Sequence, residues 1–181
     1  MIDLFYTFFD TPLATDTWNS YLQNVPEEIQ TQVIRFKRWQ DRHSCLLGKI
    51  LLREGLKKHG YPPDCLNNLS YSTYKRPFID NSIDFNISHS GEYVMCAINT
   101  DGRVGIDIER KKPLNFAEFR NYMTPDEWDT MREAPDQSEY FYDLWTVKES
   151  VIKAEGKGLS IPLIDIQRAG ETASVNNTIW H

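Results

Sequence analysis

Arg103-Val104-Gly105-Ile106-Asp107-Ile108-Glu109-Arg110 decides how this chain is read, because it sets two carboxylates two residues apart among three β-branched residues. Side chains along a strand alternate between faces, so Val104, Ile106 and Ile108 are expected to enter a core and Asp107 and Glu109 to emerge together on the other side. Such a pair suits a hard divalent cation such as Mg2+, which takes oxygen ligands. Farther along, the stretch Leu144-Trp145-Thr146-Val147-Lys148-Glu149-Ser150-Val151-Ile152-Lys153-Ala154-Glu155-Gly156-Lys157-Gly158-Leu159 places Leu144, Val147, Val151 and Ala154 on one helical stripe. Glu149 and Lys153 share a different face of that helix, so a third carboxylate and a cation can join the pair. Each feature has a plain structural alternative. An Asp-x-Glu is commonly the solvated face of an antiparallel sheet, and Glu at i with Lys at i+4 is the usual surface ion pair.

A third segment, Phe85-Asn86-Ile87-Ser88-His89-Ser90-Gly91, reads as a short apolar strand breaking into a loop of small polar groups around one histidine. Hydroxyls, an imidazole and loop amides clustered in this way can bind an anion, although a histidine after a strand is commonly a satisfied loop residue. Carboxylates for a metal beside donors for a phosphate suggest phosphoryl chemistry.

The three segments resemble the signatures of a known family, the 4′-phosphopantetheinyl transferases of the surfactin-synthetase-activating type. Its motifs FNISHSG, GIDIE and W-x-x-KES-x-x-K-x-x-GKGL correspond in order to Phe85–Gly91, Gly105–Glu109 and Trp145–Leu159. A weaker fourth match is Tyr74-Lys75-Arg76-Pro77-Phe78, and the resemblance runs from about Arg35 to Ile166. Motifs of this length in correct order are far more specific than any one alone.

The resemblance implies an α+β fold of two similar subdomains, each a helix packed on a small antiparallel sheet, with the active site in the cleft between them. The expected division is residues 1–103 and 104–181. It also implies an enzyme that moves the 4′-phosphopantetheine arm of coenzyme A to a serine of an acyl or peptidyl carrier protein, releasing adenosine 3′,5′-bisphosphate. Asp107, Glu109 and Glu149 are then the Mg2+ ligands. Glu149 also takes the serine proton, and its helical neighbour Lys153 faces the phosphates of coenzyme A. Ser88 and His89 are carried over as phosphate contacts, and Tyr74, Arg76 and Pro77 as the segment against the adenosine. Arg76 stands where the family usually has lysine, which keeps the charge and adds a planar fork. Family members often carry lysines before the first long helix; Glu28-Ile29-Gln30-Thr31-Gln32 has none, and Arg42 or Arg38 is the expected substitute. Lys148 points elsewhere on the helix and is expected to be solvated.

Composition bounds the rest. With 181 residues, 40% hydrophobic and nine each of Phe and Tyr, the chain can bury a sizeable core in one domain or two small ones packed together. Cys45, Cys65 and Cys96 are odd in number and unsuited to a disulfide framework or a zinc site. The start, Met1 to Asp10, carries two acids and no basic leader, so it reads as a first strand, and no apolar stretch approaches a membrane span. A cytoplasmic monomer is expected. Although net charge is −6, eight of the twenty basic residues lie between Arg35 and Lys58, either one polar face of an amphipathic helix or a field for an anionic ligand. Nucleic acid is disfavoured by the sequence pI near 5.2 and the lack of a binding module.

Between Pro113 and Asp143 the balance reverses, with eight acids against Arg120 and Arg132. Thr124-Pro125-Asp126-Glu127 should start a helix through a capping box, ending before Ala134-Pro135. This stretch is otherwise expected to be a mobile connection. Strands completing a second sheet are expected only beyond Ile179-Trp180-His181, which keeps a catalytically impaired coenzyme A-binding protein as the alternative function. A serine hydrolase using Ser88 or Ser90 with His89 is disfavoured, because adjacent residues seldom reach nucleophile-to-base geometry and no Gly-x-Ser-x-Gly elbow occurs.

Overall fold

Strand β1 (Ile2–Phe8) opens the chain as its apolar pattern requires, followed by helices α1 (Thr15–Gln23), α2 (Glu27–Arg35) and α3 (Trp39–Lys58). The computed structural model describes residues 1–181, apart from the side chain of Leu159, the last residue of the third motif, which lies outside the described residues. A short hairpin, β2 (Ser70–Tyr71) and β3 (Pro77–Phe78), precedes β4 (Asp84–Ser90) and β5 (Tyr93–Asn99). After a 3-10 helix at Phe116–Tyr122 come α4 (Pro125–Glu133), α5 (Gln137–Glu155) and three short strands, β6 (Gln167–Ala169), β7 (Thr172–Val175) and β8 (Thr178–Trp180). The class is the expected mixture of helices and small antiparallel sheets.

In the first sheet the order is β1-β5-β4, all antiparallel, with Phe5 and Ile87 both opposite Cys96 and Phe85 opposite Ile98. Phe85, Val94, Cys96 and Ile98 are buried on the face where Leu46, Leu52 and Leu56 of α3 pack. The other face of β4 presents Asp84, Asn86, Ser88 and Ser90, the alternate residues of the strand. The expected loop at Ser88–Gly91 is therefore a correction. Strand β4 continues through Ser90, and its polar run is one sheet face rather than a break in regular structure.

Two more segments nearby are more ordered than expected. Residues 167–180 form the three-stranded sheet β6-β7-β8 ahead of the strands expected beyond His181, and α5 packs on it through Val151 and Ile152 with Ile166, Ala173 and Val175. The signal was local: Ala169 pairs Thr172 across a turn with Gly170 at φ 63°, and Val175 pairs Thr178 across Asn176-Asn177 at φ 50° and 62°. Positive φ at both central residues is the two-residue hairpin turn that asparagine tolerates. The stretch before α5 is likewise packed rather than a mobile connection. Phe119, Tyr122 and Phe141 surround Trp145 with ring centroids 5.3, 5.9 and 5.6 Å away.

Helix α4 starts and stops as its caps dictate, with Thr124 and Glu127 closing the capping box and Ala134 leaving helical geometry before Pro135. Glu127 has a second task that corrects the placing of Lys148. That ammonium is not solvated; its side chain is 1% exposed and pairs with Glu127 Oε2 at 2.7 Å. Its remaining donors go to Tyr122 O at 3.2 Å and Leu163 O at 3.1 Å. An ammonium has three N–H groups, and here each meets an acceptor from a different element. Removing one member of a buried pair typically costs about 3–5 kcal/mol because the other is left uncompensated. Lys148→Met should therefore lose stability on that scale in urea unfolding, and adding Glu127→Gln should recover part of it. A loss below about 1 kcal/mol, the range of exposed pairs, would return Lys148 to the surface.

Candidate functional site

Residues 103–110 do not form the strand expected of them. They run extended across the polar face of β4, and their alternate backbone N–H groups are taken by its side chains rather than by a backbone ladder. Val104 N donates to Asp84 Oδ2 at 2.7 Å, Ile106 N to Asn86 Oδ1 at 3.0 Å, Ile108 N to Ser88 Oγ at 3.3 Å and Arg110 N to Ser90 Oγ at 2.9 Å. Only Val104 of the three β-branched residues is buried, Ile106 and Ile108 being half-buried, because the segment lies over a polar surface instead of entering a core.

Asp107 and Glu109 do stand together, and the same strand holds them. The Ser88 hydroxyl donates to Asp107 Oδ1 at 2.9 Å and the Ser90 hydroxyl to Glu109 Oε2 at 2.9 Å. Lys153 Nζ reaches Asp107 Oδ1 at 2.5 Å and Ser88 Oγ at 2.9 Å, so the expected grouping of Lys153 with Asp107 is present. Asp107 Oδ2 is buried and has no hydrogen-bond partner. Glu149 is half-buried, and burial pushes its carboxyl above the usual range. Lys153 opposes that shift, while the charges of Asp107 and Glu109 add to it. Among the described residues no three His, Cys, Asp or Glu side chains converge closely enough to hold a metal ion. The acids are neighbours held apart on separate anchors.

Helix α5 delivers Glu149 and Lys153 because it can approach the 103–110 segment. A Cβ on Gly105 would lie 1.9 Å from Ser150 O and 2.7 Å from Ala154 N, so no other residue permits this contact. The end of α5 is then bolted down by two arginines. Arg103 Nη1 donates to Ala154 O at 3.3 Å and Glu155 O at 3.0 Å. Arg76 reaches Asp84 Oδ2 at 2.5 Å, Val104 O at 3.0 Å and also Lys153 O. Cations on the last carbonyls of a helix also complement its dipole. Gly156, at φ 73°, ends the helix directly against the Arg76 side chain.

The remaining candidates are more dispersed. His89 lies on the strand position between the two serines, and its imidazole is pushed below the ordinary value by desolvation and by Lys153, against the pull of Asp41 and Glu109. Tyr74 is exposed and Pro77 half-buried on the β2–β3 hairpin, whose turn carries Lys75 at φ 62°. Arg42 spends its Nε on Phe36 O at 2.7 Å. Part of the basic run around α3 is neutralised, since Arg53 and Lys57 pair with Glu54 and Lys58 with Asp3. The roles of Asp84, Asn86 and Ser90 in holding the 103–110 segment, and of Arg103 at the end of α5, escaped the sequence reading. The period-two alternation of Asp84, Asn86, Ser88 and Ser90 was the signal that could have found the first three.

Comparison with known proteins is consistent along the chain. A family model described as the 4′-phosphopantetheinyl transferase superfamily matches residues 103–180, and one described as 4′-phosphopantetheinyl transferase, N-terminal, matches residues 11–101. The chain is 36% identical over 162 residues to the 4′-phosphopantetheinyl transferase Sfp of Bacillus subtilis strain 168, covering 86% of this chain and 71% of that protein. It is 34% identical over 165 residues to the 4′-phosphopantetheinyl transferase gsp of Aneurinibacillus migulanus, covering 90% and 69% respectively. Similarity extends to the L-aminoadipate-semialdehyde dehydrogenase-phosphopantetheinyl transferase of Mus musculus, at 29% over 163 residues, 81% of this chain and 53% of that one.

The state of Glu149 is testable without any substrate. A carboxyl whose folded value is raised contributes stability that is present below its unfolded value and lost as pH climbs through the folded one. Glu149→Gln should therefore melt higher than the parent in metal-free buffer at pH 7.5, with the advantage shrinking toward pH 4. An equal or lower Tm at pH 7.5 would mean that the carboxylate is not destabilised where it sits.

Proposed function

The chain belongs to the 4′-phosphopantetheinyl transferase superfamily, and on that premise we propose that it transfers the 4′-phosphopantetheine arm of coenzyme A to a serine of an acyl or peptidyl carrier protein. The observation that carries this reading is the meeting of Asp107, Lys153 and Ser88 within hydrogen-bond distance, with Glu149 destabilised beside them. An acidic cluster containing one ammonium would suit a pyrophosphate bound together with a divalent cation.

The residues divide the work by chemistry. Asp107 and Glu109 would hold Mg2+ together with phosphate oxygens of the substrate, with Glu149 as the proposed third carboxylate although it does not converge with them in this structure; the buried Asp107 Oδ2 without a partner supports the fit, since an oxygen in that position is costly unless something else satisfies it. When bound, Mg2+ supplies neutralisation of charge on the pyrophosphate oxygens. The carrier serine Oγ forms a bond to the phosphorus that bears the pantetheine arm, and the anhydride P–O bond to the adenosine 5′-phosphate breaks. Adenosine 3′,5′-bisphosphate leaves with that oxygen. Glu149 takes the serine proton, directly or through water, and its raised pKa makes it a better acceptor than an ordinary surface carboxylate. Lys153, already aimed at Asp107 and Ser88, carries positive charge to the same place.

For the nucleotide end, His89 below its ordinary pKa offers a neutral N–H to a phosphate rather than a charge. Tyr74 and Pro77 on the hairpin remain the proposed adenosine contacts. Arg76 contributes there through the turn that it anchors, because its guanidinium is spent on Asp84, Val104 O and Lys153 O. Arg42 keeps its terminal nitrogens for the coenzyme. Residues 1–103 and 104–181 then act as the two sides of the site. A cytoplasmic setting fits the substrate, and no helix among the described residues is long and apolar enough to cross a membrane.

Incubating the protein with an apo carrier, coenzyme A and Mg2+ should raise the carrier's mass by one phosphopantetheine group in mass spectrometry. Asp107→Ala should abolish the shift while leaving the circular dichroism spectrum intact, and Lys153→Met should slow it by about two orders of magnitude or more. Coenzyme A binding without transfer to any acyl or peptidyl carrier would leave the impaired binding protein as the answer. Parent-like transfer by Asp107→Ala would remove the metal assignment.

A further inference from the structure

Each carboxylate of the 103–110 segment has one oxygen tied to a serine of β4 and the other left over. Asp107 Oδ1 accepts from Ser88 at 2.9 Å, and Oδ2 is the buried atom without a partner. Glu109 Oε2 accepts from Ser90 at 2.9 Å, and Oε1 makes no hydrogen bond among the described residues. Both hydroxyls are closed on their second side as well, Ser88 by Ile108 N at 3.3 Å and Ser90 by Arg110 N at 2.9 Å. The device thus occurs twice at the two-residue period of the strand. A hydroxyl takes the N–H of one residue and gives its own proton to the carboxylate of the residue before it.

A single hydroxyl-to-carboxylate bond near solvent competes with water and is weak. Ser90 differs because it holds the Arg110 backbone and the Glu109 side chain from one atom, tying Glu109 by Oε2 and leaving Oε1 without a hydrogen bond among the described residues. Ligating carboxylates held by an outer hydrogen bond bind metal more tightly, because the orientation is set before the ion arrives. We propose that Ser90 is a positioning residue that presents Glu109 Oε1 to a divalent cation shared with Asp107, an inference that rests on reading those two acids as metal ligands.

Mn2+ is a suitable probe, since its free and bound forms differ in the electron paramagnetic resonance spectrum. The whole chain with coenzyme A would be titrated as the parent, Ser90→Ala, Ser90→Thr, Ser90→Val and Asp107→Ala. Threonine and valine share a shape that a strand accepts and differ in the hydroxyl. We expect Ser90→Ala and Ser90→Val to weaken Mn2+ binding by roughly ten- to a hundred-fold. The Mg2+ concentration for half-maximal transfer should rise by a similar factor, with the rate at saturating Mg2+ close to that of the parent. Ser90→Thr should restore both. A residue that only staples the segment would instead lower the metal-free Tm and leave Mn2+ affinity unchanged. Parent-like Mn2+ binding by Ser90→Ala and Ser90→Val, with binding lost in Asp107→Ala, overturns the proposal and spares the metal assignment. If Asp107→Ala also binds like the parent, the metal reading falls and takes this proposal with it.

Discussion

The backbone N–H groups of residues 104, 106, 108 and 110 need partners, and four alternate side chains of β4 supply them. Backbone donors removed from water are almost always paired, so this contact is as binding on the segment as a strand ladder would be. It is also more specific. A ladder accepts any residue, whereas a one-residue slip here would set Phe85, Ile87 and His89 against the donors in place of Asn86, Ser88 and Ser90. The register that satisfies the backbone is the register that brings Asp107 to Ser88 and Glu109 to Ser90.

From that segment the position of α5 follows. Gly105 lets the helix backbone come close at Ser150, and Arg76 and Arg103 take the carbonyls of its last turn. Lys153 is held at both ends, its carbonyl by Arg76 and its ammonium by Asp107 and Ser88. A lysine at position 76 has the charge but no planar fork, so it could not reach the same three acceptors at once. The arginine in this chain therefore couples the hairpin that bears Tyr74 and Pro77 to the helix that bears the ammonium.

The charges on α5 show how one helix serves stability and chemistry in adjacent positions. Lys148 faces inward, is fully matched by Glu127 and two carbonyls, and holds α4, the preceding 3-10 turn and the loop after α5 together. Glu149, the next residue, is half-buried with no hydrogen bond among the described residues and two like charges nearby. A helical step of about 100° separates a satisfied charge from an unsatisfied one. Burial is the first cause of the raised pKa of Glu149, and Lys153 offsets part of the repulsion from Asp107 and Glu109.

The two periods of the chain carried much of the fold. The apolar opening marked β1, the 3.6-residue stripe marked α3 and α5, and Thr124, Pro125 and Glu127 announced α4. The meeting of Lys153 with Asp107 was legible because motif spacing and residue chemistry are properties of the chain. What decided the rest was which face met which. The Val104–Ile108 pattern is equally good for a strand and for an extended segment laid over another strand, and only the presence of β4's polar face distinguishes them. Arg76 could meet a ligand or a helix end, and Lys148 could face solvent or Glu127, since a long cationic side chain takes its role from whatever acceptors lie within reach. Those acceptors, Asp84, Lys153 O, Tyr122 O and Leu163 O, come from distant parts of the chain, and only the tertiary structure brings them within hydrogen-bond distance.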